Sequence, residues 1–212
     1  MIEKLLDVEG PVMRFFDKTG QLITLSFLWL LGCLPIVTVA TSTTALYYAS
    51  MKVVRRDRGT AAQEFWRSYK ANLGRGIPVT VLMGAVMGLL LLNIQILQNQ
   101  PNQNLLSACT VAGLAVLGGV SMYICPVLSR FTMKVTNALM LSFVMAVRFL
   151  HYTLLLLAGT ALMIGLQIWV LPMPTVLILP GLWSWATTFL TEKALRRYMP
   201  EQEADSDEWY YA

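Results

Sequence analysis

The stretch PVTVLMGAVMGLLLLNIQIL, residues 78–97, contains no Asp, Glu, Lys or Arg, and its reading decides the fold. A helix rises 1.5 Å per residue and the hydrocarbon core of a bilayer is about 30 Å thick, so roughly twenty apolar residues make one crossing. Only a helix satisfies the backbone N–H and C=O groups of such a stretch within itself. Working outward, four more uncharged segments qualify or nearly do: 22–40, 105–127, 152–170 and the shorter 175–190. The composition agrees, with 56% apolar residues, 13% charged residues and a mean hydropathy of +0.59 over 212 residues. A soluble domain carries about a quarter of its residues as charges. The sequence therefore predicts an all-α integral membrane protein, a bundle of about five transmembrane helices in one domain over 1–198. An acidic tail follows at 199–212. Disordered, collagenous and ordinary water-soluble enzyme classes are excluded.

The charges lie between the apolar runs. Segment 52–75 carries net +5, 130–148 net +3 and 192–198 net +2, whereas 98–104 and 171–174 carry none. Residues 1–20 sum to −1 and the tail to −5. Lys and Arg near span ends mark the cytoplasmic side, and acids count little. The three basic segments and the C-terminus are therefore expected in the cytoplasm. Five full spans place the N-terminus outside. A hairpin around Pro35, folding residues 22–51 back on themselves, places it inside instead. The pI near 9.1 is not read as a nucleic-acid footprint, because these charges share no open surface.

Two further stretches have helical apolar faces. Residues 63–75 put Phe65, Trp66, Tyr69 and Leu73 together, and 131–147 repeat Phe131, Val135, Leu139, Phe143 and Val147 at spacing four. Both read as amphipathic helices in the cytoplasmic interface. On the first, Phe65, Trp66 and Tyr69 with Arg67 and Lys70 form a candidate partner-binding surface, and anchoring to anionic lipid is the competing reading. Thr38, Thr41 and Thr44 sit in a run of small and hydroxylated residues suited to close helix packing. Together with Asn93, Gln95 and Gln167 they are alternatively pore-lining. The order Cys33-Leu34-Pro35, basic stretch, aromatic helix and span has a loose parallel after Cys125-Pro126.

Catalytic constellations are missing. His151 is the sole histidine, and Cys33, Cys109 and Cys125 have no paired spacing. No phosphate-binding glycine loop and no paired carboxylate on a span is present. The expectation is a non-enzyme with no cofactor, no metal and no nucleic-acid partner. No span carries a charge at its middle, which argues against a charge-coupled pump.

Phe16-Asp17-Lys18, Leu34-Pro35-Ile36-Val37-Thr38, Thr44-Ala45-Leu46-Tyr47-Tyr48, the run Phe65 to Asn72, Pro126 to Phe131, and Asn137-Ala138-Leu139 occur in an order that resembles the YesL family of small bacterial membrane proteins. Ala40 departs from the pattern, which commonly has Gly there. The family has no established catalytic activity and is often associated with carbohydrate importers of the ATP-binding-cassette type. The resemblance thus implies an accessory subunit in the bacterial plasma membrane, packed against the permease and ATPase subunits of a sugar importer, with no catalytic residues to carry over. A small oligomeric channel or facilitator for a sugar or other solute is the alternative.

Overall fold

The computed structural model describes residues 11–98, 104–169, 172–195 and 197–198. The acidic tail 199–212 lies outside them. Among the described residues every regular element is helical. Helix α1 (Pro11–Cys33) leads through a 3-10 turn (Ile36–Thr38) into α2 (Val39–Ala49), which is extended by a π-helix (Ser50–Arg55). Then follow α3 (Ala61–Gln98), α4 (Asn104–Arg130), α5 (Val135–Arg148), α6 (Leu150–Trp169) and α7 (Pro172–Leu195). Among the described residues three helices are long and apolar enough to cross a membrane: residues 61–97, 105–130 and 150–168. The expected spans 78–97, 105–127 and 152–170 fall on them as far as the described residues run, and 175–190 falls inside α7.

The stretch 22–40 is not one helix. Proline lacks an amide donor and disfavours helical geometry in the residue before it, so α1 ends at Cys33 and the chain turns back at Pro35. The turn satisfies its own backbone. Thr38 Oγ1 lies 2.7 Å from the carbonyls of both Gly32 and Pro35, and Thr38 N donates to Pro35 O. Ala40 N donates to Thr80 Oγ1 of α3 at 3.0 Å. The two legs are stitched by Ser42 Oγ donating to Trp29 O and by Trp29 Nε1 donating to Thr43 Oγ1. At the open end, Lys18 Nζ on α1 meets Asp57, just past the π-helix, at 3.4 Å. The open ends of the two legs therefore lie together, and the expected single helix over 22–40 is replaced by a helical hairpin around Pro35.

Its depth follows from α3. The start of α2 stands beside Thr80, and α3 continues to Leu97, about 26 Å farther at helical rise. The hairpin tip, with Leu34, Ile36 and Val37 exposed, stops well short of that end. An exposed pair such as Lys18–Asp57 adds little stability, but it marks proximity. In a variant lacking native cysteines, Lys18→Cys with Asp57→Cys is expected to cross-link through a short bismaleimide, whereas Lys18→Cys with Leu97→Cys is not. Reversed yields would restore the full span.

Two other elements differ in detail. The amphipathic stretch 63–75 and the span 78–97 form one helix, since Pro78 deletes a single ladder bond without ending α3. In α5 the face packed on the bundle is Ala138, Ser142, Met145 and Ala146, and Phe143 and Val147 of the expected stripe stay exposed. Small residues allow the close approach to α4, which leaves the bulky stripe outward. Pro126 lies within α4 without breaking it, so the parallel with Pro35 does not extend to the turn. The core is in two parts. One gathers Leu25, Leu46, Val53 and Phe65 around the hairpin and the start of α3, and the other gathers Tyr123, Leu128, Met145, Leu156 and Leu195.

Candidate functional site

A cavity of about 290 Å³ lies among α1, α2, α4, α6 and α7. Its walls include the indoles of Trp29 and Trp183, the phenol of Tyr47, Cys125, Gln167 and Thr191. Glycine makes room for one wall: a Cβ on Gly159 would run into the Trp183 ring. Gly181 does the same for α7, whose N–H donates to Ser26 Oγ on α1 at 2.9 Å. At one end Tyr47 Oη and Thr191 Oγ1 share a hydrogen bond of 2.8 Å, and Ser184 Oγ bonds Ser50 Oγ at 3.1 Å.

Most of the hydroxyls in the wall already donate to their own helix. Ser121 bonds Gly118 O, Thr160 bonds Leu156 O, and Thr191 bonds Thr187 O. Such back-bonding spends the proton and leaves oxygen lone pairs available. The lining thus suits a neutral ligand with an apolar body and a few hydroxyl donors. Among the described residues it contains no His, Asp or Glu to act as a base, and no group of three His, Cys, Asp or Glu assembles for a metal.

Beside Tyr47 lies a buried ion pair between Arg130, at the end of α4, and Glu192, on α7. Each side chain is only 3% exposed. The segment-by-segment charge reading counts both as loop charges. Their pairing spans 62 positions and leaves no local signal beyond one acid in a basic stretch.

The residues singled out from sequence separate into different places. Phe65 is fully buried against the hairpin, so it is core and unavailable to a partner. Tyr69 stacks on Phe65, half-buried, with its hydroxyl toward Gly32 O. Trp66, Arg67 and Lys70 remain exposed. Thr38, Thr41 and Thr44 are buried at helix contacts: Thr38 closes the turn, Thr41 faces Gly76 of α3, and Thr44 bonds Ala40 O. This places them in packing. Gln167 lines the cavity, but Asn93 and Gln95 sit exposed on α3, so no common pore gathers them.

A feature the sequence reading passes over is Gly84-Ala85-Val86-Met87-Gly88. A Cβ on Gly84 or Gly88 would meet nothing within 4 Å, so no described residue covers the small face of α3. Two glycines four positions apart on a span are a known sign of close helix association.

No curated protein and no solved structure matches the chain. Residues 22–94, which hold the hairpin and most of α3, match a family model described as "Protein of unknown function, DUF624".

Proposed function

We propose that the protein is a non-enzymatic accessory membrane subunit of the YesL kind, packing against the permease of a carbohydrate importer of the ATP-binding-cassette type in the bacterial plasma membrane. One observation carries the reading. Only 6% of the most apolar window of α3 is buried, against 44% in α4, and the Gly84–Gly88 face lies within that helix. Between helices in lipid, association rests on close packing of small residues rather than on water exclusion. A bare small-residue face on a span is what a partner helix needs.

The basic segments 52–75, 130–148 and 192–198 go to the cytoplasm by the positive-inside rule. The Lys18–Asp57 contact then brings Lys18 to the same face, with α1–α2 as a re-entrant hairpin. Exposed Trp66, Arg67 and Lys70 face an ATPase or lipid headgroups from there. Gly84→Leu with Gly88→Leu is expected to abolish capture of importer subunits after gentle solubilisation while insertion is unchanged. Capture that survives the double substitution, or sugar uptake that survives deletion of the protein, sinks the reading. Self-association lost in the same variant, with no permease present, redirects the face to a homo-oligomer.

The cavity favours a second reading, a facilitator for a small neutral solute, since two indoles and a set of acceptor oxygens suit a sugar. Vesicles holding only this protein would then pass the solute, and Trp183→Ala would alter the rate. Impermeable vesicles exclude it.

A further inference from the structure

A polar cleft of about 220 Å³, separate from the cavity, opens where the ends of α2, α3 and α4 meet. Its wall carries Arg67, Ser68 and Arg75 from α3 and Ser129 and Thr132 from the end of α4 and the loop after it. Arg75 is fixed in place. Nη1 donates to Phe131 O at 3.0 Å and Nη2 to Asn72 Oδ1 at 3.1 Å, while Asn72 is itself tied to Ser68 O. Arg67 is 71% exposed and free to swing, with Glu64 at 4.0 Å.

Among the described residues the acids nearby are already matched. Glu64 pairs with Lys52 at 2.8 Å, and Glu192 pairs with Arg130, which also reaches the cleft wall. Arg67 and Arg75 are left as excess positive charge in a concavity, where field lines concentrate. Guanidinium groups bind phosphate through paired, charge-assisted hydrogen bonds. Ser129 Oγ already donates to Pro126 O at 2.6 Å, so Thr132, in the loop after α4, supplies the hydroxyl donor beside the α3 guanidinium groups. Donors from two elements suit a tetrahedral oxyanion better than a planar carboxylate. The volume equals about seven waters, enough for a phosphate and its first ester substituent and too small for a folded peptide segment.

We propose that this cleft binds a phosphate oxyanion, carried by a phospholipid headgroup or by a free phosphate. The protein in phosphatidylcholine nanodiscs is titrated with inorganic phosphate against chloride at equal ionic strength, following the unfolding midpoint. In a second arm, protein from mixed phosphatidylglycerol and phosphatidylcholine membranes is examined by native mass spectrometry for retained lipid. Saturable stabilisation by phosphate identifies a free-phosphate site, and selective retention of phosphatidylglycerol alone identifies the headgroup.

In either arm Arg67→Gln weakens binding about tenfold, the loss of one charge-assisted hydrogen-bonding group. Thr132→Ala weakens it less, and exposed Lys193→Gln leaves it unchanged. Arg67 and Thr132 are both exposed, so these variants keep the fold where Arg75→Gln would also release Phe131. Absence of both effects in the native protein overturns the proposal. So does binding that ignores Arg67→Gln and Thr132→Ala, or that falls equally with Lys193→Gln.

Discussion

Replacing Gly76 by alanine is expected to lower the unfolding midpoint by several degrees, while the same change at Gly74, two residues earlier, leaves it level or raises it. A Cβ on Gly76 would lie 2.9 Å from Thr41 Cα and collide with the Thr41 side chain as well. Backbone atoms cannot swing aside, so α2 would have to move off α3 as a body. Overpacking of this kind costs about 1–3 kcal/mol, and more where backbone must shift. The disturbance would not stay local. Ala40 N, one residue from Thr41, donates to Thr80 Oγ1, and losing that bond leaves the amide unpaired in an apolar setting. At Gly74 an added Cβ meets nothing within 4 Å, and alanine gains about 1 kcal/mol of helix propensity over glycine. Thermal unfolding in detergent checks both variants. Equal midpoints would mean that the hairpin does not rest on α3.

That contrast shows where sequence reading stops. Both glycines look alike in the run Leu73-Gly74-Arg75-Gly76, and helical period alone does not tell which faces a neighbour. The same limit explains Phe65. An apolar stripe on a helix signals that something covers it, and the cover is this chain's own hairpin rather than a partner. For 22–40, hydropathy reports a length of apolar chain and is blind to direction, so span and hairpin are equivalent until Thr38, Ser42 and Thr43 are seen bonding back across the turn. Pro35 carried the clue, yet Pro78 and Pro126 sit inside helices that continue. The long apolar helices over 78–97, 105–127 and the described part of 152–170 were legible because charge-free length alone specifies them. The cavity was not, because its walls come from five helices.

Removing either member of the Arg130–Glu192 pair is expected to destabilise the protein most of all, by about 3–5 kcal/mol, because the survivor is a buried charge without its counter-charge. Arg130→Met leaves Glu192, whose Oε2 already lacks a hydrogen-bond partner among the described residues. Glu192→Gln leaves the guanidinium without its carboxylate. The double replacement Arg130→Met with Glu192→Met removes both desolvation penalties, and such swaps are often neutral or stabilising. Recovery of the midpoint in the double variant is therefore expected, with a large coupling term in the double-mutant cycle. Additive losses would show that the two residues act separately, and near-zero single losses would show a solvated pair. The recovered double variant then has a further use. The pair joins α4 to α7 beside Tyr47 and Thr191 at the end of the cavity, and hydrophobic residues hold helices together there at least as well. If the double variant is as stable as the native protein but alters the solute flux proposed for the cavity, the pair is kept for what it does to the cavity rather than for stability.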